Sequence, residues 1–413
     1  MDDNVVAGRC TPAFSRPFRW VDQALTHKGR PISAGGRCRV HELHWPKYVS
    51  DNDPGPAAIF AIVSPLQYLN ALEAIHAFEL RADQCFLAIG ECERMPESQR
   101  QVRQILDPSL WACIEQLSGF PSTPLGHEVR TDLRSVLGAR KYANRANSLI
   151  RRARSDCGSV GQLFIGDYRP TSFRHFIAKL REAETWLLDD GTLTHHVVRY
   201  RGARETGDNW SEHFPSSSKR RRFRSLLSGL RFAEPKRVGF FTSYELEAPP
   251  QDRLRTHHYE LRKRSLEGLV VRDEVWFLGT NHVEAGVTTS DKYDALLARV
   301  KSQYEGRTLA YLPHRGESPE KLERLERLGF EVRRHGLPIE VAIAELGHHP
   351  QVFAGLASSA LDNLALLLAP KIRIDLFEAP SDYAPEPKWQ HLKEIMNYHR
   401  ADRFGVTRVV SAE

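Results

Sequence analysis

The stretch Ala57-Ala58-Ile59-Phe60-Ala61-Ile62-Val63-Ser64-Pro65-Leu66-Gln67 decides the fold. An unbroken apolar run suits a strand buried on both faces, the pattern of a parallel sheet. Ser64-Pro65 ends the run and supplies an N-cap and a first-turn proline for a helix reaching Leu80. The alternation continues downstream. Apolar runs at Cys85–Ile89, Leu163–Ile165 and Thr185–Leu188 read as strands, and Ser98–Leu106, Leu110–Leu117 and Arg174–Glu182 read as helices. A second series opens with strand Val238–Phe241 and continues with strands Glu274–Leu278, Leu309–Leu312, Val332, Val352–Ala354 and Ile372–Leu376. Between them lie helices Tyr293–Val300, Pro319–Leu328, Pro338–Leu346 and Ala360–Leu368, and helix Lys388–Tyr398 closes the chain. Strands alternating with helices argue for α/β architecture, here as two Rossmann-like domains with parallel sheets facing a central cleft.

The expected boundaries follow from composition. Residues 1–55 form an irregular extension ending at the breaker Asp51-Asn52-Asp53-Pro54-Gly55-Pro56. Residues 56–200 are the first domain, 201–236 a basic linker, 237–380 the second domain and 381–413 a C-terminal helix. The 413 residues, 41% hydrophobic and 27% charged, exclude a wholly disordered chain. Lys and Arg outnumber Asp and Glu by 58 to 52, so an anionic partner is expected: nucleic acid, membrane surface or acidic substrate. The six cysteines (Cys10, Cys38, Cys85, Cys92, Cys113, Cys157) form no C-x-x-C pair, which speaks against a disulfide scaffold or zinc finger. The N-terminus has no apolar h-region, and Leu364–Leu368 with its flanks is too short to span a bilayer. The expected location is cytoplasmic, with a peripheral place on the inner face of the cell membrane open to it. Neither half carries G-x-G-x-x-G or a Walker loop.

In open α/β sheets ligands bind at the carboxyl ends of the strands. Four polar clusters stand there: Ser64-Pro65-Leu66-Gln67, Asp189-Asp190-Gly191, Pro313-His314-Arg315 and Ser358-Ser359. Each alone reads as a cap or turn. Together they supply a carboxylate able to accept a hydroxyl proton, a His and Arg able to meet a phosphate, and a helix N-terminus carrying two hydroxyls. That set suits transfer of a group from a nucleotide-activated donor to an alcohol. The doublets His195-His196, His257-His258 and His348-His349, and His41 with His44, are expected to be packing or surface residues, with no metal. Trp186 is expected beneath the sheet, and His195 near an acceptor.

These motifs resemble the bacterial sialyltransferases, especially the family of the α-2,8-polysialyltransferases and the lipooligosaccharide sialyltransferases of glycosyltransferase family 52. The resemblance runs from Ala57 to Glu378. It rests on Asp189-Asp190-Gly191, Tyr311-Leu312-Pro313-His314-Arg315-Gly316-Glu317, Ser358-Ser359-Ala360-Leu361, Ser64-Pro65-Leu66-Gln67 and Phe277-Leu278-Gly279. Pro-His-Arg in place of His-Pro sides with the polysialyltransferase-like branch. The resemblance implies a GT-B fold and an inverting, metal-independent transfer from CMP-sialic acid, with no cofactor. It implies Asp190 as general base, with Asp189 sharing or exchanging that role, and His314 contacting or protonating the leaving phosphate. Ser358 and Ser359 would bind that phosphate and Glu340 the ribose hydroxyls, with Pro313, Arg315, Gly279, Ser64 and Gln67 also on the donor side. The implied acceptor is a glycan, glycolipid or lipooligosaccharide. Two alternatives stay open: another GT-B nucleotide-sugar enzyme, and a nucleic-acid-binding protein using the basic run. No nucleic-acid motif accompanies that run, so no nucleic acid is expected; the run reads as a solvated linker, with contact of Lys219–Arg224 with an anionic membrane also open to it.

Overall fold

Residue Ala57 begins a strand in which odd and even positions enter different cores. Ile59 and Ala61 pack with helix α3 (Leu133–Cys157) on one face, and Ala58, Phe60 and Ile62 pack with α1 (Pro65–Ala77) on the other. This is the double burial that an all-apolar run requires, at about 1.5–3 kcal/mol per large side chain buried. The computed structural model describes residues 55–91, 96–118, 133–191, 193–206, 219–356, 358–386 and 388–411, all within one compact unit. The N-terminal extension through Pro54, with Cys10, Cys38, His41 and His44, lies outside the described residues, as do Cys92 and Ser216–Ser218.

The first sheet contains β1 (Ala57–Ile62), β2 (Cys85–Gly90), β3 (Cys113–Leu117), β4 (Val160–Ile165), β5 (Glu184–Leu188), β6 (Gly239–Thr242) and β7 (Arg253–Thr256). It is parallel throughout, in the order β3-β2-β1-β4-β5-β6-β7. The second contains β8 (Val270–Leu278), β9 (Thr308–Leu312), β10 (Glu331–Val332), β11 (His348–Gly355), β12 (Arg373–Phe377) and β13 (Thr407–Val410), in the order β10-β9-β8-β11-β12-β13. Its strands are also all parallel. Each sheet reverses its winding at one point, between β1 and β4 and between β8 and β11. These are the two Rossmann-like halves of a GT-B fold. The flanking helices are α2 (Pro96–Ile105), α4 (Thr171–Lys179), α5 (Leu193–Thr206), α6 (Lys219–Ser228), α7 (Glu260–Ser265), α8 (Ser290–Gln303), α9 (Pro319–Arg327), α10 (Ile339–Leu346), α11 (Ser359–Leu368) and α12 (Lys388–Arg400).

Four expectations are corrected. The strand at 238–241 does not open the second half: β6 pairs with β5, so the first sheet extends to Thr256 and the second begins at Val270. Residues 201–236 are therefore not a linker between halves but part of the crossover from β5 to β6, holding the end of α5 and all of α6. The segment Leu110–Leu117 is not helical, because Cys113–Leu117 pairs with β2 and sheet pairing overrides the local period. The chain does not end in a helix, because β13 follows α12 and pairs with β12.

The halves are joined through α7. Glu73 of α1 accepts the backbone N–H groups of Leu261 (3.1 Å) and Arg262 (2.8 Å) at the start of α7. The Arg262 guanidinium then donates to the Glu340 carbonyl of α10, at 3.0 Å from Nε. Helix α12 returns to the first half, where Tyr398 packs on the His195 ring with centroids 4.3 Å apart.

Candidate active site

Both switch points open on one cavity of about 540 Å³, within the range of small-ligand sites. Three helix N-termini line it: Ser64 and Pro65 of α1, Pro338 to Glu340 of α10, and Ser358 and Ser359 of α11. A helix N-terminus carries the positive end of the helix dipole, which favours anions nearby. Asp190, Gly191, Gly279, Pro313, His314 and Arg315 also line it. The halves approach closely here. Gly191 takes φ of +63°, and a Cβ there would stand 3.0 Å from Ser359 Oγ.

The adjacent aspartates occupy different environments. Asp189 is buried and its carboxylate is saturated. Oδ1 accepts from Thr194 Oγ1 at 2.9 Å, and Oδ2 accepts from Ser243 N at 2.7 Å and Ser243 Oγ at 3.2 Å. Asn70 Nδ2 holds the Asp189 carbonyl at 3.0 Å. Asp189 thus ties the end of β5 to the loop after β6. Asp190 instead faces the cavity. Burial lifts its carboxyl to about 6, helped by the Asp167 charge and opposed by Arg169, Gln67 and Arg315. Asp189 also rises to about 6 by burial, against its hydrogen bonds.

Asp167 was absent from the expected set. It stands at the carboxyl end of β4 and accepts from Arg169 at Oδ1 (Nε, 3.1 Å) and Oδ2 (2.9 Å). The signal was present in Gly166-Asp167, which obeys the same strand-end rule as the four clusters. Gln67 lies just behind the cavity, fully buried, with Oε1 accepting from Val63 N at 2.8 Å. Gly166 makes room for it, since a Cβ at that position would stand 2.1 Å from Gln67 Oε1.

On the second half, the loop after β9 is braced by a buried network. Glu317 Oε1 accepts from His314 N at 2.6 Å, and Oε2 accepts from Tyr311 Oη at 2.7 Å. Lys321 reaches Glu317 at 3.0 Å and the Thr280 carbonyl at 2.7 Å. His314 Nδ1 accepts from Gly316 N at 3.1 Å, which assigns the ring proton to Nε2. The ring keeps solvent contact within the cleft, yet desolvation there, then Arg315 and Lys321, push it down to about 4. His314 is therefore a neutral donor at neutral pH. Glu340 is buried at the cavity wall, with Oε1 accepting from Asn363 Nδ2 at 2.9 Å. Arg333, Arg334 and His335, after β10, also reach the cavity and were not expected from sequence. Arg333 and Arg334 are paired with Glu274 and Glu326.

His195, His257, His348 and His349 have structural places. His195 packs against Tyr244 and Tyr398 rather than lining the cavity. His257 stacks on Phe241, and His348 and His349 are hydrogen-bonded by Nδ1 to the Leu346 and Pro350 carbonyls. Trp186 packs under the sheet against Phe78, centroids 4.9 Å apart. Among the described residues no group of three or more His, Cys, Asp or Glu is arranged to hold a metal ion. Cys85, Cys113 and Cys157 are free thiols.

No family model matches the chain, and no curated protein matches it. Solved structures resemble it at very low identity and low TM-score. MurG of Acinetobacter baumannii is 10% identical over 87% of this chain and 86% of its own, with a TM-score of 0.41. An α/β-galactoside α-2,3-sialyltransferase of Photobacterium phosphoreum is 12% identical over 86% and 98%, with a TM-score of 0.44. A UDP-GlcNAc 2-epimerase of Methanocaldococcus jannaschii is 9% identical over 87% and 89%, with a TM-score of 0.42. Transferases and an epimerase stand side by side among these structures.

Proposed function

We propose that the chain is an inverting glycosyltransferase that moves sialic acid from CMP-sialic acid to a hydroxyl of a glycan, glycolipid or lipooligosaccharide. The observation that carries the reading is the meeting in one cavity of Asp190 from one half with His314, Glu340, Ser358 and Ser359 from the other. In this reading the bond between the sugar's anomeric carbon and the CMP phosphate oxygen breaks as a bond to the acceptor oxygen forms. The acceptor proton passes to Asp190. A base lifted to about 6 suits that work, since it is ionised near neutrality and still basic enough to accept a proton. Charge growing on the phosphate meets the α11 N-terminus, the Ser358 and Ser359 hydroxyls and the Nε2–H of His314. His314, being neutral, acts by donating a hydrogen bond. Glu340, fixed by Asn363, suits acceptance from the ribose diol. No step calls for a metal or cofactor.

Calorimetric titration with CMP, UMP and GMP tests the donor half. CMP is expected to bind most tightly, with Glu340→Gln and the double variant Ser358→Ala, Ser359→Ala each weakening it about tenfold or more. Preference for UMP or GMP would turn the reading toward another nucleotide-sugar enzyme.

A further inference from the structure

Eleven large apolar side chains are exposed among the described residues, and five of them lie on two helices that pack together. Leu133 (74% exposed) and Leu137 stand one turn apart at the start of α3. Phe223, Leu226 (81% exposed) and Leu227 share one face of α6, while Ser228 and Leu230 behind them are buried. Leu226 and Leu133 are the two most exposed of the eleven. The same helices carry twelve Lys and Arg against a single carboxylate, Asp156. The rest of the chain holds more carboxylates than cations, so the basic surplus of the whole protein resides here. Arg134, Arg140 and Lys141 are exposed beside Leu133 and Leu137.

We propose that α3 and α6 form a docking surface for an anionic lipid bilayer. A soluble polyanion would use the cations but gains nothing from bare leucines and a phenylalanine. A bilayer takes both, the apolar side chains entering the headgroup boundary and the cations meeting lipid phosphates. The placement is functional. Helix α3 ends at Cys157 just before β4 begins at Val160, and its Arg145 donates to the Gln116 carbonyl near the end of β3, so Leu133 and Leu137, further back along the helix, stand at the same end of the sheet as Ser64 and Asp190. An acceptor anchored in that bilayer would lie on the cleft side of the first half. Among the described residues no helix is long and apolar enough to cross a membrane, so the contact is peripheral.

Sedimentation of the full chain with vesicles tests this without donor or acceptor. Vesicles of phosphatidylglycerol in phosphatidylcholine should carry the protein down in a salt-sensitive way, and phosphatidylcholine alone should not. Each of Arg220→Gln, Arg221→Gln and Arg222→Gln should lower partitioning about fivefold. The triple variant Phe223→Ser, Leu226→Ser, Leu227→Ser keeps every charge and should lower it about tenfold or more. The pair Leu133→Ser, Leu137→Ser should act likewise from the other helix. Thermal melts should be unchanged, since these side chains are exposed. Vesicle binding indifferent to both sets of apolar changes would overturn the proposal, as would binding to heparin that the charge variants weaken while vesicles are ignored.

Discussion

Asp189 and Asp190 are neighbours in sequence and opposites in setting. Asp189 accepts from Thr194 and Ser243 inside the protein, and Asp190 meets the cavity beside Asp167, Arg169 and Arg315. Asp190→Asn should reduce transfer about 10²–10⁴-fold in kcat with nucleotide binding retained. Asp189→Asn should mainly lower the melting temperature, by replacing an acceptor that holds buried donors. Because burial raises Asp190 to about 6, the wild-type rate should fall as pH drops through about 6, where the base becomes protonated. Residual activity of Asp190→Asn should lack that inflection. Full activity in Asp190→Asn with loss in Asp189→Asn would reverse the assignment. The pair was legible in sequence as an Asp-Asp-Gly strand end. The local pattern does not say which member faces the cleft, since Thr194, Ser243 and Arg169 decide it from elsewhere in the chain; only the resemblance singled out Asp190, with Asp189 left able to exchange roles.

At the level of elements, the βα alternation was legible wherever strands were apolar and ended in polar residues. It failed where pairing is decided at a distance. Strand β6 reads the same whichever sheet it joins, and only its ladder to β5 places it in the first. Helix α3 went unread because half of its buried residues are alanines (Ala139, Ala143, Ala146, Ala153), a weak apolar signal among many arginines. The latch between halves was also invisible, since Glu73 and α7 are far apart in the chain. Its chemistry gives a test. Glu73→Ala would leave the N–H groups of Leu261 and Arg262 without acceptors, costing about 2–5 kcal/mol in denaturant melts. Burial raises the Glu73 carboxyl from 4.5 to about 7, so the folded state binds its proton more tightly than the unfolded state. That stabilisation is complete below about 4.5 and is lost as pH rises through about 7. Glu73→Gln, which keeps an acceptor without the charge, should therefore compare better with wild type at pH 8 than at pH 5. Equal stability of wild type and Glu73→Ala would show that the latch holds nothing.

For the whole molecule, two doubly wound sheets set their switch points against one cavity, and charge is divided between two places. Helix N-termini, His314 and Arg315 line the cleft, while the basic surplus lies outside it on α3 and α6. On the proposed function the architecture alone leaves other nucleotide sugars open, and the choice of donor rests on the cluster of motifs in the cleft. Nucleotide release measured with purified protein and CMP-sialic acid, UDP-sugars and GDP-sugars in parallel, with and without glycolipid acceptors, addresses that choice most directly. CMP release from CMP-sialic acid is expected, stimulated by acceptor and lost in Asp190→Asn when acceptor is present, with no release from the other donors. Turnover of a UDP- or GDP-sugar with CMP-sialic acid untouched would contradict the proposed function.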